Sequence, residues 1–247
     1  MPWTDGLNMT YTELFFDVKN YLQNDFPSNT WTNVAGTGTT TSDGTEQINT
    51  FITQAEERIY NTVQIPPLRR NVTGITSSGN KYLSCPTDFM SVFSMAVIDG
   101  DGNFEYLLNK DVNYIRAAYP NPNTQDIPKY YALFGPTVAS GTITDELSFI
   151  LGPTPDDAYD VELHYYAYPE SITVAADGRT WLGDNYSPVL LYGTMVEAYI
   201  FLKGETDMMA TYKAKYDEAL AQLNRLGTGL ERGDAYRDGQ AKIKVNP

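Results

Sequence analysis

The chain has one histidine, so any Ser-His-Asp or Cys-His arrangement must be built on His164. His164 stands between Leu163 and Tyr165, inside a run that alternates apolar and polar residues. That pattern predicts a side chain hydrogen-bonded on a sheet surface, not a catalytic base. The one cysteine, Cys85, rules out an intrachain disulfide and a zinc site of several thiolates. In Leu83-Ser84-Cys85-Pro86 it reads as a small buried residue at a strand end. Asp99-Gly100-Asp101-Gly102-Asn103-Phe104-Glu105 starts like a calcium loop. It fails at Phe104, where the sharp turn needs glycine, and at Lys110, where a bidentate glutamate should close the cage. A hairpin turn is the expectation. Gly36-Thr37-Gly38-Thr39-Thr40-Thr41 lacks the Gly-Lys-Ser/Thr ending of a phosphate loop. The 31 acidic residues offer candidate carboxylate pairs for glycoside hydrolysis, but nothing singles one out. The 19 tyrosines could line a sugar-binding face, and they equally suit sheet surfaces and subunit contacts, which is the reading favoured here. The expectation is no catalytic residue, no metal site, no cofactor and no enzymatic activity.

Charge narrows the partners. A formal net charge of −14 repels phosphate, so counterion release cannot drive nucleic-acid binding over the whole surface. The charge is uneven. From Gly227 onward, Arg232, Arg237, Lys242 and Lys244 stand against Glu231, Asp234 and Asp238, so the tail is slightly basic and the body acidic. With 42% apolar and 19% charged residues the chain should fold as a globular protein. No apolar run approaches the roughly 18 residues of a membrane span, and the first residues, Met1-Pro2-Trp3-Thr4-Asp5, do not read as a secretion signal.

The elements that would position these residues fall into three blocks. Thr10-Tyr11-Thr12-Glu13 fits a capping box, followed by an apolar helical face of Leu14, Phe15, Val18, Tyr21 and Leu22. Asn33 to Asp43 reads as a loop. A second helix from about Thr45 to Val63 carries Ile48, Phe51, Ile52, Ala55, Ile59 and Val63, with Glu56, Glu57 and Arg58 facing water. The period then changes. Strands are predicted at Ser91–Ile98, Asn103–Leu108, Tyr130–Phe134, Glu146–Leu151 and Asp160–Tyr168, all antiparallel because no crossover helix is evident between them. In the last, Val161, Leu163, Tyr165 and Ala167 share one face. Helices resume at Ser187-Pro188, a cap with proline at the first helical position. That third helix is apolar on most sides. A fourth runs from Asp207 to Leu226 and is ended by Gly227 and Gly229. The predicted fold class is α+β: a four-helix core (residues 1–68 and 180–226, two N-terminal and two C-terminal helices), an antiparallel β-rich insertion (69–179) and an extended C-terminal arm (227–247).

Several segments, in this order, resemble the head-to-tail adaptor, or connector, proteins of tailed phages, including the tail tubular A proteins of short-tailed phages. They are Ile48-Asn49-Thr50-Phe51-Ile52-Thr53-Gln54-Ala55-Glu56-Glu57-Arg58-Ile59, the step Leu83-Ser84-Cys85-Pro86-Thr87-Asp88-Phe89-Met90, the tyrosine-rich Val161-Glu162-Leu163-His164-Tyr165-Tyr166-Ala167, and Thr180-Trp181-Leu182 ahead of the Pro188 helix. The long Asn33–Asp43 loop departs from that pattern. The resemblance implies a virion protein assembled in the host cytoplasm, forming a ring, usually of twelve copies, beneath the portal. Its channel would conduct DNA without sequence-specific binding, and no membrane is involved. It further implies that the C-terminal arm docks on the portal protein through Leu230, Arg232, Tyr236, Arg237, Lys242, Ile243, Lys244 and Val245. The β insertion would then face the tail tube or nozzle protein or neighbouring copies. Leu191, Met195, Tyr199, Tyr212 and Tyr216, on the two late helices, are the expected subunit-packing residues. Another neck or tail-completion protein, or a carbohydrate-binding or hydrolytic virion module, are the alternatives.

Overall fold

A polypeptide whose apolar period switches from 3.6 to 2 and back must build helices, then sheets, then helices. A computed structural model shows that order for residues 8–26, 28–32, 39–121, 123–135, 137–139, 142–145 and 147–231. The class is α+β. The chain divides into one unit formed by Met1–Pro67 with Pro169–Pro247 and a second formed by Leu68–Tyr168.

In the first unit α1 (Tyr11–Leu22) starts as its sequence demands. The Thr10 amide donates to Glu13 Oε2 at 2.8 Å and the Glu13 amide to Thr10 Oγ1 at 3.3 Å, closing the capping box. The Thr10 amide and hydroxyl together hold the Glu13 carboxyl below its ordinary value. Part of the predicted Asn33–Asp43 loop is instead a strand: β2 (Thr39–Ser42) pairs antiparallel with β1 (Asn29–Thr32). In α2 (Gly44–Thr62) the Asp43 side chain caps the first turn, and Ile48, Phe51, Ile52, Ala55 and Ile59 are buried. α4 (Trp181–Phe201) packs against α1, α2 and α5 (Thr206–Glu231).

Two helix boundaries differ from the sequence reading. α4 begins at Trp181, capped by Thr180, whose hydroxyl accepts from the Gly183 amide at 3.3 Å. Ser187-Pro188 marks a kink within it, with Tyr186 non-helical at φ −151°, ψ 57°. Proline lacks the amide and crowds the backbone before it, so the helix breaks there and restarts. α5 does not stop at Leu226 but runs through Gly227 and Gly229 to Glu231. A Cβ on Gly227 would collide with Ile65 Cγ2, so this glycine serves a close approach and not a helix end.

The second unit is a sandwich. Its first sheet has the order β3 (Arg69–Ile75), β12 (Asp160–Ala167), β5 (Phe89–Ile98), β6 (Phe104–Tyr106), all antiparallel. Its second has the order β4 (Tyr82–Ser84), β11 (Ser148–Gly152), β8 (Tyr130–Phe134), β7 (Leu108–Asn109). Met95, Val97, Val161, Leu163 and Tyr165 from the first meet Tyr131, Phe149 and Leu151 from the second. Each large apolar side chain so buried contributes about 1.5–3 kcal/mol. The sheets are not wholly antiparallel: β7 pairs parallel with β8. The crossover that a parallel pair requires contains α3 (Val112–Ala118), a helix the sequence reading missed. Its Ile115 packs on Ala132 and Ile150. A 3₁₀ turn (Pro66–Leu68) precedes β3, and β9 (Thr137–Ala139) pairs with β10 (Thr142–Asp145). Among the described residues no helix is long and apolar enough to cross a membrane.

Candidate functional site

The residues with chemical potential are held in structural roles. His164 lies on the outer face of β12, where its Nδ1 is 3.1 Å from Ser94 Oγ on β5 and its Nε2 is 3.8 Å from Glu162 Oε1. Sequence reasoning did not join Ser94 to this histidine. On both sides His164 is flanked by paired strands, with Asn71 of β3 and Ser94 of β5 directly across from it. Asp99 accepts from the Asp101 amide at 2.9 Å, the Asn103 amide at 2.8 Å and the Asn103 side chain at 3.0 Å. The Asn103 bonds lead in lowering its pKa. Its carboxylate therefore makes the β5–β6 turn, with Gly102 at φ +85°. Cys85 is partly buried against the sandwich core.

One polar cluster went unread. Asp88, between β4 and β5, accepts from Arg70 Nη1 at 2.6 Å on one oxygen and from the Tyr165 hydroxyl at 2.8 Å on the other. Its carbonyl takes the Tyr168 amide at 2.8 Å. Burial, then the Asp88 bond, pushes the Tyr165 hydroxyl up to about 12. The acid of the Leu83–Met90 step thus ties the start of β5 to β3 and β12. The aspartate stood in a recognised segment, but nothing in its spacing pointed to Arg70.

A second surprise is Glu56. Expected to face water, it is 2% exposed. One carboxylate oxygen accepts from the Ile172 amide at 3.0 Å, and the other has no hydrogen-bond partner among the described residues. Burial raises its pKa against the lowering effect of the Ser171 and Ile172 hydrogen bonds. The buried Tyr60 hydroxyl, one turn on, is pushed up by burial and by Glu56. Arg58 is paired with Glu197, linking α2 to α4.

The second unit exposes apolar side chains in number, among them Ile75, Phe93, Phe104, Tyr106, Leu108 and Phe134. Several of its cations stand over rings: Arg69 is 4.1 Å from the centroid of Phe93, Lys110 5.2 Å from Tyr114 and Lys81 5.5 Å from Tyr82. Exposed aromatic and cationic side chains grouped in this way are the composition of protein interfaces, not of a reaction centre.

The SU10 adaptor protein family model matches residues 9–241, spanning both units. The chain belongs to the SU10 adaptor protein family. Its members are structural adaptor proteins of phage virions that interact with other virion proteins. A search among individually curated proteins returned no match.

In this adaptor the predicted docking residues are distributed unevenly. Leu230 stands on the last turn of α5, 53% exposed. Arg232, Tyr236, Arg237, Lys242, Ile243, Lys244 and Val245 lie outside the described residues. Of the expected subunit-packing residues, Met195 is fully buried and Leu191 and Tyr216 nearly so. The apolar girth of α4 is packed by α1, α2 and α5 of the same chain. Tyr199 and Tyr212, ring centroids 5.4 Å apart, keep partial exposure.

Proposed function

We propose that the chain is a head-to-tail adaptor subunit, forming a ring of twelve copies between the portal and the tail tube or nozzle protein and continuing the DNA channel. The helices gathered on α4 form a four-helix body, and the β sandwich faces the tail or neighbouring copies. The arm from Gly227 docks on the portal through Leu230 and the mixed apolar and basic residues after it, including Tyr236, Ile243, Val245, Arg232, Arg237, Lys242 and Lys244. The protein would assemble in the host cytoplasm and act as a structural part, not a catalyst. The observation that carries this is the family match over residues 9–241, which takes in both units and part of the arm.

Two features support it. The surface of the second unit has interface composition. The net charge of −14 suits a conduit, because a like-charged wall offers duplex phosphates few attractive contacts and so little friction. Co-expression with the portal protein of the same phage and negative-stain imaging test the reading. Rings capping the portal are expected for the full chain. They should be lost on deletion of residues 232–247, with the helical circular dichroism retained. A full chain that never joins portal-bearing capsids would overturn it.

A further inference from the structure

The sheet β3–β12–β5–β6 ends in β3 and β6, and no strand among the described residues pairs with the outer edge of either. β3 is seven residues long, and its register with β12 is unbroken from Ile75 to Arg69. It carries neither proline nor a bulge, two of the devices that blunt an edge, and its charges, Arg69 and Arg70, are confined to its first two residues. The opposite edge, β6, has three residues, and in the companion sheet the edges are β4 and β7, of three and two residues.

Hydrogen bonds beside each strand fix which groups point outward. The Thr76 amide donates to the Tyr159 carbonyl at 2.9 Å. Residues of β3 in phase with Thr76, namely Gly74 and Val72, therefore turn their amides and carbonyls toward β12. Asn71, Thr73 and Ile75 turn theirs away. At the opposite edge the Asp99 amide donates to the Asn103 carbonyl at 3.0 Å, and the Leu107 amide to Met95 at 2.9 Å. Asn103, Glu105 and Leu107 thus face β5, and Phe104 and Tyr106 present their backbone groups outward.

We infer that neighbouring copies in the proposed ring join by pairing β6 of one copy with β3 of the next, Phe104 opposite Thr73 and Tyr106 opposite Asn71. This rests on the ring reading and supplies its contact. A closed ring needs a heterologous interface, two different patches that meet head to tail, and the two edges of one sheet are such patches. Direction agrees. Each of the three pairings in the sheet is antiparallel, so β3 and β6 run oppositely. A copy brought alongside in the same orientation therefore meets its neighbour antiparallel, and the sheet continues across the joint.

The side chains agree as well. Ile75, Asp160, Ile98 and Phe104 lie across from one another along the sheet, so they share a face with Thr73, Asn71 and Tyr106. Phe104 and Tyr106 are stacked, with centroids 6.4 Å apart, and are 47% and 65% exposed. Across the joint Phe104 gains Ile75 as a diagonal neighbour, and Tyr106 gains Arg69. On the other face Glu105 sits opposite Val72 and diagonal to Arg70, within reach of long side chains. The only charges on β3 are two arginines, and the only charge on β6 is a glutamate.

Cysteines at Val72 and Glu105, in a chain also carrying Cys85→Ser, test the contact. Within one copy these positions are three strand spacings apart, about 14 Å, which is beyond disulfide reach. A disulfide between them must therefore join copies. After assembly on the portal and mild oxidation, V72C/E105C is expected to give a ladder of covalent oligomers that reductant collapses. V72C or E105C alone should give none. Thr73→Pro removes only an outward amide, so it should keep the fold and lose the ring. Rings seen by microscopy that run as monomers on a non-reducing gel would overturn the strand contact while leaving the ring reading intact. So would T73P rings equal to wild type. A chain that binds portal without forming rings would overturn both.

Discussion

Gly227 and Gly229 stand two residues apart in the same helix, and the structure gives alanine opposite effects at the two. In a helix interior alanine is favoured over glycine by about 1 kcal/mol, because glycine loses more backbone freedom on folding. At Gly229 nothing lies within 4 Å of a new Cβ, so Gly229→Ala should stabilise the chain by about 0.5–1 kcal/mol, reduced slightly by its place near the helix end. At Gly227 the Cβ would meet Cγ2 of Ile65, a buried side chain that cannot swing into solvent. Forcing a methyl into a filled site costs about 1–3 kcal/mol. The propensity gain offsets about 1 kcal/mol of that, and Gly227→Ala should end about 0–2 kcal/mol less stable than wild type. The two variants then differ by about 2 kcal/mol, or about 1 M in the urea midpoint at a slope of about 2 kcal/mol per M. Ile65→Leu removes Cγ2, so the double variant with Gly227→Ala should recover much of the loss in a double-mutant cycle. If Gly227→Ala proved as stabilising as Gly229→Ala, α5 would not lie against Ile65, and the account of why the helix runs past Leu226 would fail.

Glu56→Gln keeps an acceptor for the Ile172 amide and removes the buried charge. Because the folded pKa of Glu56 is raised, this residue favours the native state below the ordinary glutamate range, and that benefit is lost as pH rises through the folded value. Urea midpoints should therefore show the glutamine variant ahead at about pH 8, with the gap closing toward about pH 4; a pH-independent gap refutes the assignment. Asp88→Ala leaves the buried Tyr165 hydroxyl without its acceptor and Arg70 without its ion pair. It should cost about 2–3 kcal/mol, and a loss under about 0.5 kcal/mol would mean the cluster holds nothing. Thr10→Ala, which opens the capping box of α1, should lower stability by about 1 kcal/mol, measured in the same assay.

Periodicity carried the sequence reading as far as local pattern reaches. The Thr10 cap, the stripe of α2 and the alternation of β12 were readable because each depends on residues a few positions apart. Val161, Leu163, Tyr165 and Ala167 are all buried, as their spacing required. What failed depends on distant partners. Glu56 looked like a solvated acid because nothing near it reveals that Ile172 will cover it. Gly227 looked like a stop because its contact is Ile65. Ser187-Pro188 looked like a start because a proline kink and a helix beginning share one local signature. The α3 crossover was missed because seven residues span less than two helical turns and carry a single buried side chain, Ile115. At the level of function the order of the segments identified the family. Local pattern does not separate the residues that hold the chain to itself from those left for a neighbour: Met195 and Tyr216, read as apolar faces of late helices, are buried within the chain.

The interruption of the first unit by the second has a consequence for synthesis. On the ribosome α1 and α2 emerge before α4 exists, so Ile48, Phe51, Ile52 and Ile59 must wait without the helix that covers them. Residues 68–168 are contiguous and can close around Phe149 and Val161 during that interval. At a translation rate of about 5–20 residues per second, the wait from the end of α2 to the end of α4 lasts about 7–28 seconds. The early helices then wait with their apolar stripes uncovered by α4, and the order of translation completes the sandwich before the helical body.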